Sequence, residues 1–316
     1  MPPKSKRAKQ SAKLYDQLSS LKGAQLTKKL EEVYQALRKT MSEESFPGFS
    51  SLVEQLASDA LLKSGNKNAT QLLCYCLVEV FRINEGVGFP DPSCAAALSL
   101  IIHNLRALEL PSKTDVYTRS FEMFEKLYQT SLLKVMVSLG SEGEELAIEL
   151  GRVIFSVLES FSTSSSPKKK GKRKSPPKKS QPASPDSSLL NEEEMQAEKE
   201  KIKRVSIEIL ISIIDLYKHI PESLIDMVLM HFVEDEEEQA SLCQEVVQDL
   251  LIVKKAKLTS AVQKFCTSIL CAETSEGSEY ESSEHVSLLY SVNRRSTRSW
   301  FDSAPSPPIT SSSSFH

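Results

Sequence analysis

The side chains best able to do chemistry are clustered lysines, Ser-Pro pairs, six cysteines, five histidines and one run of carboxylates. Lys168, Lys169, Lys170, Lys172, Arg173 and Lys174 place six cations within seven residues. That density suits recognition by importin, as a nuclear localisation signal, or contact with phosphate. Localisation is the preferred reading; nonspecific nucleic-acid contact and a solvated linker are the alternatives. Ser166, Ser175 and Ser184 each precede a proline and are candidate acceptors for proline-directed kinases. Phosphate there would offset part of the positive charge. A second basic cluster, Lys4, Lys6, Arg7, Lys9 and Lys13, can act in the same way. No aromatic residue interleaves either cluster, so a stacking platform for single-stranded nucleic acid is not expected.

Reactive side chains elsewhere lack the spacing that chemistry needs. Cys74, Cys76, Cys94, Cys243, Cys266 and Cys271 form no CxxC pair. Cys74 and Cys76 would point about 200° apart around a helix. They are expected to serve as small hydrophobes, and no structural metal is expected. His103, His219, His231, His285 and His316 are not at metal-ligand spacing from one another, and His103, after Ile101-Ile102, is expected on a helix surface. The acidic run Glu234–Glu238 reads as a solvated turn. Phosphate-loop, dinucleotide, zinc-protease and nucleophile-elbow motifs do not occur in the sequence. The expectation is a chain with no catalytic site and no cofactor.

The elements follow from a spacing that recurs. Leu52, Val53, Leu56, Ala57, Ala60 and Leu61 place apolar residues at i, i+1, i+4, i+5, i+8 and i+9. Leu72, Leu73, Cys76, Leu77, Val80 and Phe81 repeat it, as do Leu242, Cys243, Val246, Val247, Leu250 and Leu251. Ala97, Leu98, Ile101, Ile102, Leu105 and Leu108 nearly do. At 100° per residue each set makes one wide apolar stripe on a helix, which must be buried against a neighbour. The pattern predicts helices over 25–39, 52–63, 72–83, 93–109, 115–137, 144–160, 224–232, 239–254 and 257–271. Another resumes at Asn191, capped there and braced by Glu194. It carries Val205, Ile207, Ile209, Leu210, Ile211, Ile213, Ile214 and Leu216, which leave little polar face and predict the centre of the array.

Helices beginning about 20–30 residues apart give pairs near the period of HEAT or armadillo units. About eleven helices exceed one four-helix bundle, so the predicted fold is an all-α, HEAT/armadillo-like helical-repeat solenoid with a disordered basic insertion and tails. Residues 162–190 are dominated by Ser, Pro and Lys, with no large apolar side chain before Leu189. Such a tract cannot offset an ordering entropy of roughly 1–2 kcal/mol per residue. The predicted organisation is a basic tail over 1–22, repeats over 23–161, the insertion over 162–190, repeats over 191–291 and a tail over 292–316.

Net charge is −3, from 39 basic and 42 acidic residues. Setting aside the five basic residues of 1–13 and the eight of 166–180 leaves 26 against 42, a body charge of −16. The folded part is therefore acidic and the excluded segments basic. No signal peptide is recognisable, and no stretch approaches the ~20 apolar residues of a membrane span. A soluble, reduced, intracellular protein with no membrane contact is expected.

The helical segments resemble the N-terminal region of the Pds-type (precocious dissociation of sisters) sister-chromatid cohesion regulators, which are HEAT-repeat proteins. The resemblance rests on Leu56-Ala57-Ser58-Asp59, Leu77, Phe81-Arg82-Ile83, Leu105-Arg106-Ala107-Leu108-Glu109 and Tyr117 to Glu125. Ser223-Leu224-Ile225-Asp226, Val228-Leu229 and Ser283-Glu284-His285-Val286 extend it, in the family's order, across residues 24–290. It implies a non-catalytic nuclear scaffold that binds cohesin subunits and the wings-apart-like release factor. Such a scaffold sets cohesin's residence on chromatin, with consequences for chromosome segregation, cell division and DNA repair. In the family an Ala-Pro-acidic-Ala-Pro loop follows the Phe-Arg-Ile helix and binds partner peptides. Here Phe89, Pro90, Asp91 and Pro92 occupy that place, and only Pro90-Asp91-Pro92 matches. Family members are several times longer, so a fragment or short variant is expected, ending in an uncapped apolar face. A helical adaptor in nuclear transport or chromatin assembly is the alternative function.

Overall fold

Apolar stripes at helical spacing require helices that cover one another. The computed structural model, which describes residues 18–42, 46, 48–84, 91–163, 192–233 and 241–275, has only helices as regular elements there. They are α1 (Gly23–Arg38), α2 (Phe49–Leu56), α3 (Asp59–Leu62), α4 (Lys67–Asn84), α5 (Asp91–Asn104) and α6 (Asp115–Gln129). α7 (Leu132–Ser138), α8 (Ser141–Thr163), α9 (Glu192–Leu216), α10 (Glu222–Val233), α11 (Leu242–Val253) and α12 (Lys255–Ser275) follow. Short 3-10 turns occupy Leu18–Ser20 and Leu105–Glu109. α1 packs on α4, α4 on α5, α5 on α8, and α8 on α10 and α11, while α10 and α11 carry α12. This side-by-side succession, sharing one apolar core from Leu18 to Leu258, is the expected HEAT/armadillo-like helical-repeat fold.

Local chemistry sets the starts. Thr114 Oγ1 accepts from Tyr117 N at 3.3 Å and caps α6. At α11 the Ser241 hydroxyl accepts from Gln244 N while the Gln244 side chain accepts from Ser241 N, a reciprocal capping box. Asn66 Oδ1 accepts from Asn68 N and Ala69 N at the start of α4. α5 begins at Asp91, two residues before the expected start, because Pro92 fits a first turn where its missing N–H costs nothing.

Several expectations need correction. The helix predicted over 52–63 is broken at Ala57-Ser58, where Ser58 is extended (φ −68°, ψ 141°) and its hydroxyl donates to Gln55 O at 2.6 Å. The break resets the helical phase, so Ala60 faces solvent although its spacing placed it on the stripe. The helix predicted over 115–137 is likewise two helices. Thr130 is extended (φ −114°, ψ 174°), and its hydroxyl accepts from Leu132 N at 3.4 Å. Residues 18–22, assigned to the tail, are anchored by Leu18, which is fully buried. The central helix of the N-terminal half is α4, whose residues 72–81 are all buried. α9, the expected centre, keeps Ile207 and Ile211 partly exposed. α8 is the second hub, touching α5, α7, α9, α10 and α11. His103 is on the surface as expected, with Nδ1 3.1 Å from Glu149 Oε1. The capping residue expected at Asn191 lies outside the described residues.

Within the buried run of α4 lies a charge. The Glu79 side chain is 1% exposed and pairs with Arg82 Nε at 2.6 Å and with Lys126 Nζ of α6. Arg82 Nη2 also donates to Leu37 O and Thr40 O, at 3.0 and 2.8 Å, closing the C-terminal end of α1. Four further contacts repeat the stitching of α1, α4 and α6. Arg119 donates to both Glu31 oxygens, at 2.7 and 3.2 Å, and lies 5.7 Å above the Tyr34 ring. Burial raises the Glu31 carboxyl, but hydrogen bonds from Arg119 and Gln35 outweigh it and hold the group below its usual range. Tyr75 Oη bonds Val116 O and the Ser120 hydroxyl, both at 3.3 Å.

Three substitutions test this account. Glu79→Gln removes both ion pairs, while Arg82 and Lys126 stay about a quarter exposed and can turn to water. Urea unfolding is expected to show a loss of about 1–3 kcal/mol, and an unchanged midpoint would show the pairs to be incidental. α7 and α8 meet closely after Gly140 (φ +65°), and a Cβ on Gly143 would fall 2.0 Å from the Met136 carbonyl oxygen. Backbone cannot move as a side chain can, so Gly143→Ala is expected to cost about 1–3 kcal/mol. A Cβ on Gly151 meets only the flexible end of Met227, at 2.1 Å. Gly151→Ala is expected to stay within about 1 kcal/mol of the wild type, because alanine's helix propensity offsets the adjustment.

Candidate functional site

The polar knot around Glu79 leaves no room for a ligand. The gap it lines, between Tyr34, Tyr75, Glu79, Arg119 and Lys126, holds about 10 Å³, near the volume of one water probe. The larger opening is a cleft of about 440 Å³ between the 218–220 turn, α10 and α12. Pro221 immediately precedes α10, its carbonyl accepting from Leu224 N and Ile225 N, and Ile225 and Asp226 of that helix line the cleft. α12 supplies Lys257, Ser260, Ala261, Lys264 and Phe265 from the opposite wall.

The cleft combines a cationic rim with an apolar floor. Lys218, Lys257 and Lys264 line it, and Ile220, Ile225 and Phe265 provide the apolar surface. Lys257 Nζ donates to Asp215 O at 3.2 Å and Lys254 Nζ pairs with the Asp215 carboxylate at 2.6 Å. Both cations sit at the C-terminal end of α9, where the helix dipole favours positive charge. Lys264 and Glu222 bridge the rim at 3.1 Å, but both are largely exposed, so the pair adds little to stability. Burial, then the neighbouring Glu222, pushes the Asp226 carboxyl above its usual range. His219, Asp226 and Ser260 share the cleft, but no hydrogen bond joins them among the described residues. The cleft thus mixes lysines with the carboxylates Glu222 and Asp226 over an apolar floor.

The residues singled out from sequence fall elsewhere. Lys168, Lys169, Lys170, Lys172, Arg173 and Lys174, with Ser166, Ser175 and Ser184, lie outside the described residues, as do Phe89 and Pro90. Asp91 and Pro92 open α5. The N-terminal cysteines do act as small hydrophobes. Cys74 and Cys76 are fully buried, their Sγ atoms donating to Leu100 O and Leu30 O at 3.5 Å. Burial pushes both thiols well up. Sequence spacing missed one cluster altogether: Glu159 of α8, His231 of α10 and Cys243 of α11 bring one ligand atom each within 4.8 Å of the others. The three are far apart in the chain, and only the packing of three helices unites them. No helix among the described residues is long and apolar enough to cross a membrane.

Known proteins bear on this arrangement. No curated protein matches the chain. Among solved structures it is similar to a chain from "Structure of the Pds5-Scc1 complex and implications for cohesin function", with a TM-score of 0.59 and 15% identity. The match covers 86% of this chain and 36% of that one, so this chain spans about a third of its relative's length. At that identity the likeness shows the fold. The family model described as sister chromatid cohesion protein PDS5 matches residues 24–298, from the start of α1 to beyond the last described helix. By that match the chain belongs to the PDS5 family of sister chromatid cohesion proteins.

Proposed function

We propose that the chain is a non-catalytic nuclear scaffold that associates with cohesin on chromatin and regulates sister-chromatid cohesion through protein–protein contacts. The observation that carries this reading is the family match over residues 24–298. The fold is consistent with it, since a helical array offers extended surfaces for partners. The solved relative is itself a Pds5-Scc1 complex, which supports a cohesin subunit as a partner of this chain too. The wings-apart-like release factor is the second proposed partner. The segment Phe89, Pro90, Asp91 and Pro92, leading into α5, is proposed as a peptide contact. Importin would read Lys168–Lys174, with Ser166, Ser175 and Ser184 tuning the charge of that tract.

Two experiments test the proposal. Affinity purification of the tagged chain from nuclear extract, read by mass spectrometry, is expected to recover cohesin core subunits or the wings-apart-like factor. Recovery of neither, from a folded and nuclear chain, would leave the fold without the association. Deletion of residues 166–180 is expected to move the chain out of the nucleus, as seen by fluorescence of a tagged copy. Unchanged import would remove the localisation role of the basic tract.

A further inference from the structure

Where α8, α10 and α11 meet, one residue contacts two side chains of metal-ligating type. The Phe155 ring stacks on the His231 imidazole, with centroids 4.0 Å apart and planes 17° apart. The Phe155 carbonyl accepts from Cys243 Sγ at 3.7 Å. Glu159 lies four residues further along α8, so its side chain sits one turn on, over the same face. Its Oε1 is 3.6 Å from His231 Nδ1. Cys243 is buried, His231 is half-buried and Glu159 faces solvent at 53% exposure.

We propose that Glu159, His231 and Cys243 form a three-ligand site for a zinc-class divalent cation that fastens α8, α10 and α11 together. Ligands on a tetrahedral zinc lie about 3.3–3.6 Å apart, given bonds near 2.0 Å to nitrogen and oxygen and 2.3 Å to sulfur. The His231–Glu159 separation, 3.6 Å, is about 0.3 Å longer than the value for a nitrogen–oxygen pair. All three donor atoms fall within 4.8 Å, so a rotamer adjustment of the exposed Glu159 and a small approach of Cys243 Sγ close the set. The donors select the ion: thiolate and imidazole favour zinc over magnesium or calcium, which take oxygen. On binding, Cys243 releases its thiol proton to the solvent and gives up its bond to the Phe155 carbonyl, and the cation's charge stabilises the thiolate. Glu159 opens the site to solvent, so a water completes the tetrahedron.

The test is titration of the metal-stripped intact chain with Co²⁺, followed by Zn²⁺. One Co²⁺ per chain is expected, with a thiolate-to-cobalt charge-transfer band in the near ultraviolet that equimolar Zn²⁺ abolishes. Cys243→Ser is expected to remove the band. A band that survives this substitution, or a folded chain with no band, overturns the proposal. Because Cys243 is buried and its substitution can disturb folding, Glu159→Gln supplies an independent arm. It is expected to keep the metal-free melting temperature, weaken Zn²⁺ binding by at least about tenfold and lose the Zn²⁺-induced rise in melting temperature. Unchanged Zn²⁺ affinity in Glu159→Gln also overturns the site.

Discussion

The N-terminal half of the array depends on one buried carboxylate. Apolar stripes alone bring α1, α4 and α6 together, but hydrophobic contact is non-directional and leaves neighbouring helices free to slide or turn. Glu79 removes that freedom. It takes Arg82 from its own helix and Lys126 from α6, and Arg82 then reaches the last carbonyls of α1. Displacement of either neighbour would leave a charge inside the core without its partner, a state that costs several kcal/mol. The Arg119–Glu31 fork and the Tyr75–Ser120 bond repeat the constraint further along the same seam.

The stripes were legible because burial and spacing are two expressions of the same helix geometry. Leu72, Leu73, Cys76, Leu77, Val80 and Phe81 are all buried, as are Ala97, Leu98, Ile101, Ile102, Leu105 and Leu108. The exceptions have local causes. Ala60 leaves the core because a single extended residue, Ser58, shifts the phase by breaking the helix. Thr130 does the same between α6 and α7. Spacing cannot reveal either event, since a β-branched or hydroxyl residue is tolerated within many helices.

Glu79 and the Glu159–His231–Cys243 cluster were hidden for a different reason. A glutamate between Val78 and Val80 looks like the polar face of an amphipathic helix until the neighbours covering that face are known. His231 and Cys243 are twelve positions apart, outside any metal-binding spacing, and Glu159 belongs to a helix before the Lys-rich tract. Tertiary packing alone supplies both arrangements. The family, by contrast, was readable, because order and spacing over nearly the whole chain constrain identity more than any single residue does.

The two ends of the array are held in different ways. α4 is buried along ten consecutive residues and locked by charge. α12 buries only Leu258 among its residues whose side chains are described, and α11 ends with Ile252 and Val253 exposed. Besides the partly buried Ala261, Val262 and Phe265 that pack against the core, α12 is tied by surface pairs such as Lys264–Glu222, which water competes for. Segments with few buried contacts open at lower free energy than the core. The 440 Å³ cleft lies between α12 and α10, which packs on α8. The buried charge lock thus belongs to α1, α4 and α6, and the cleft is walled by α10 and α12, which take no part in it.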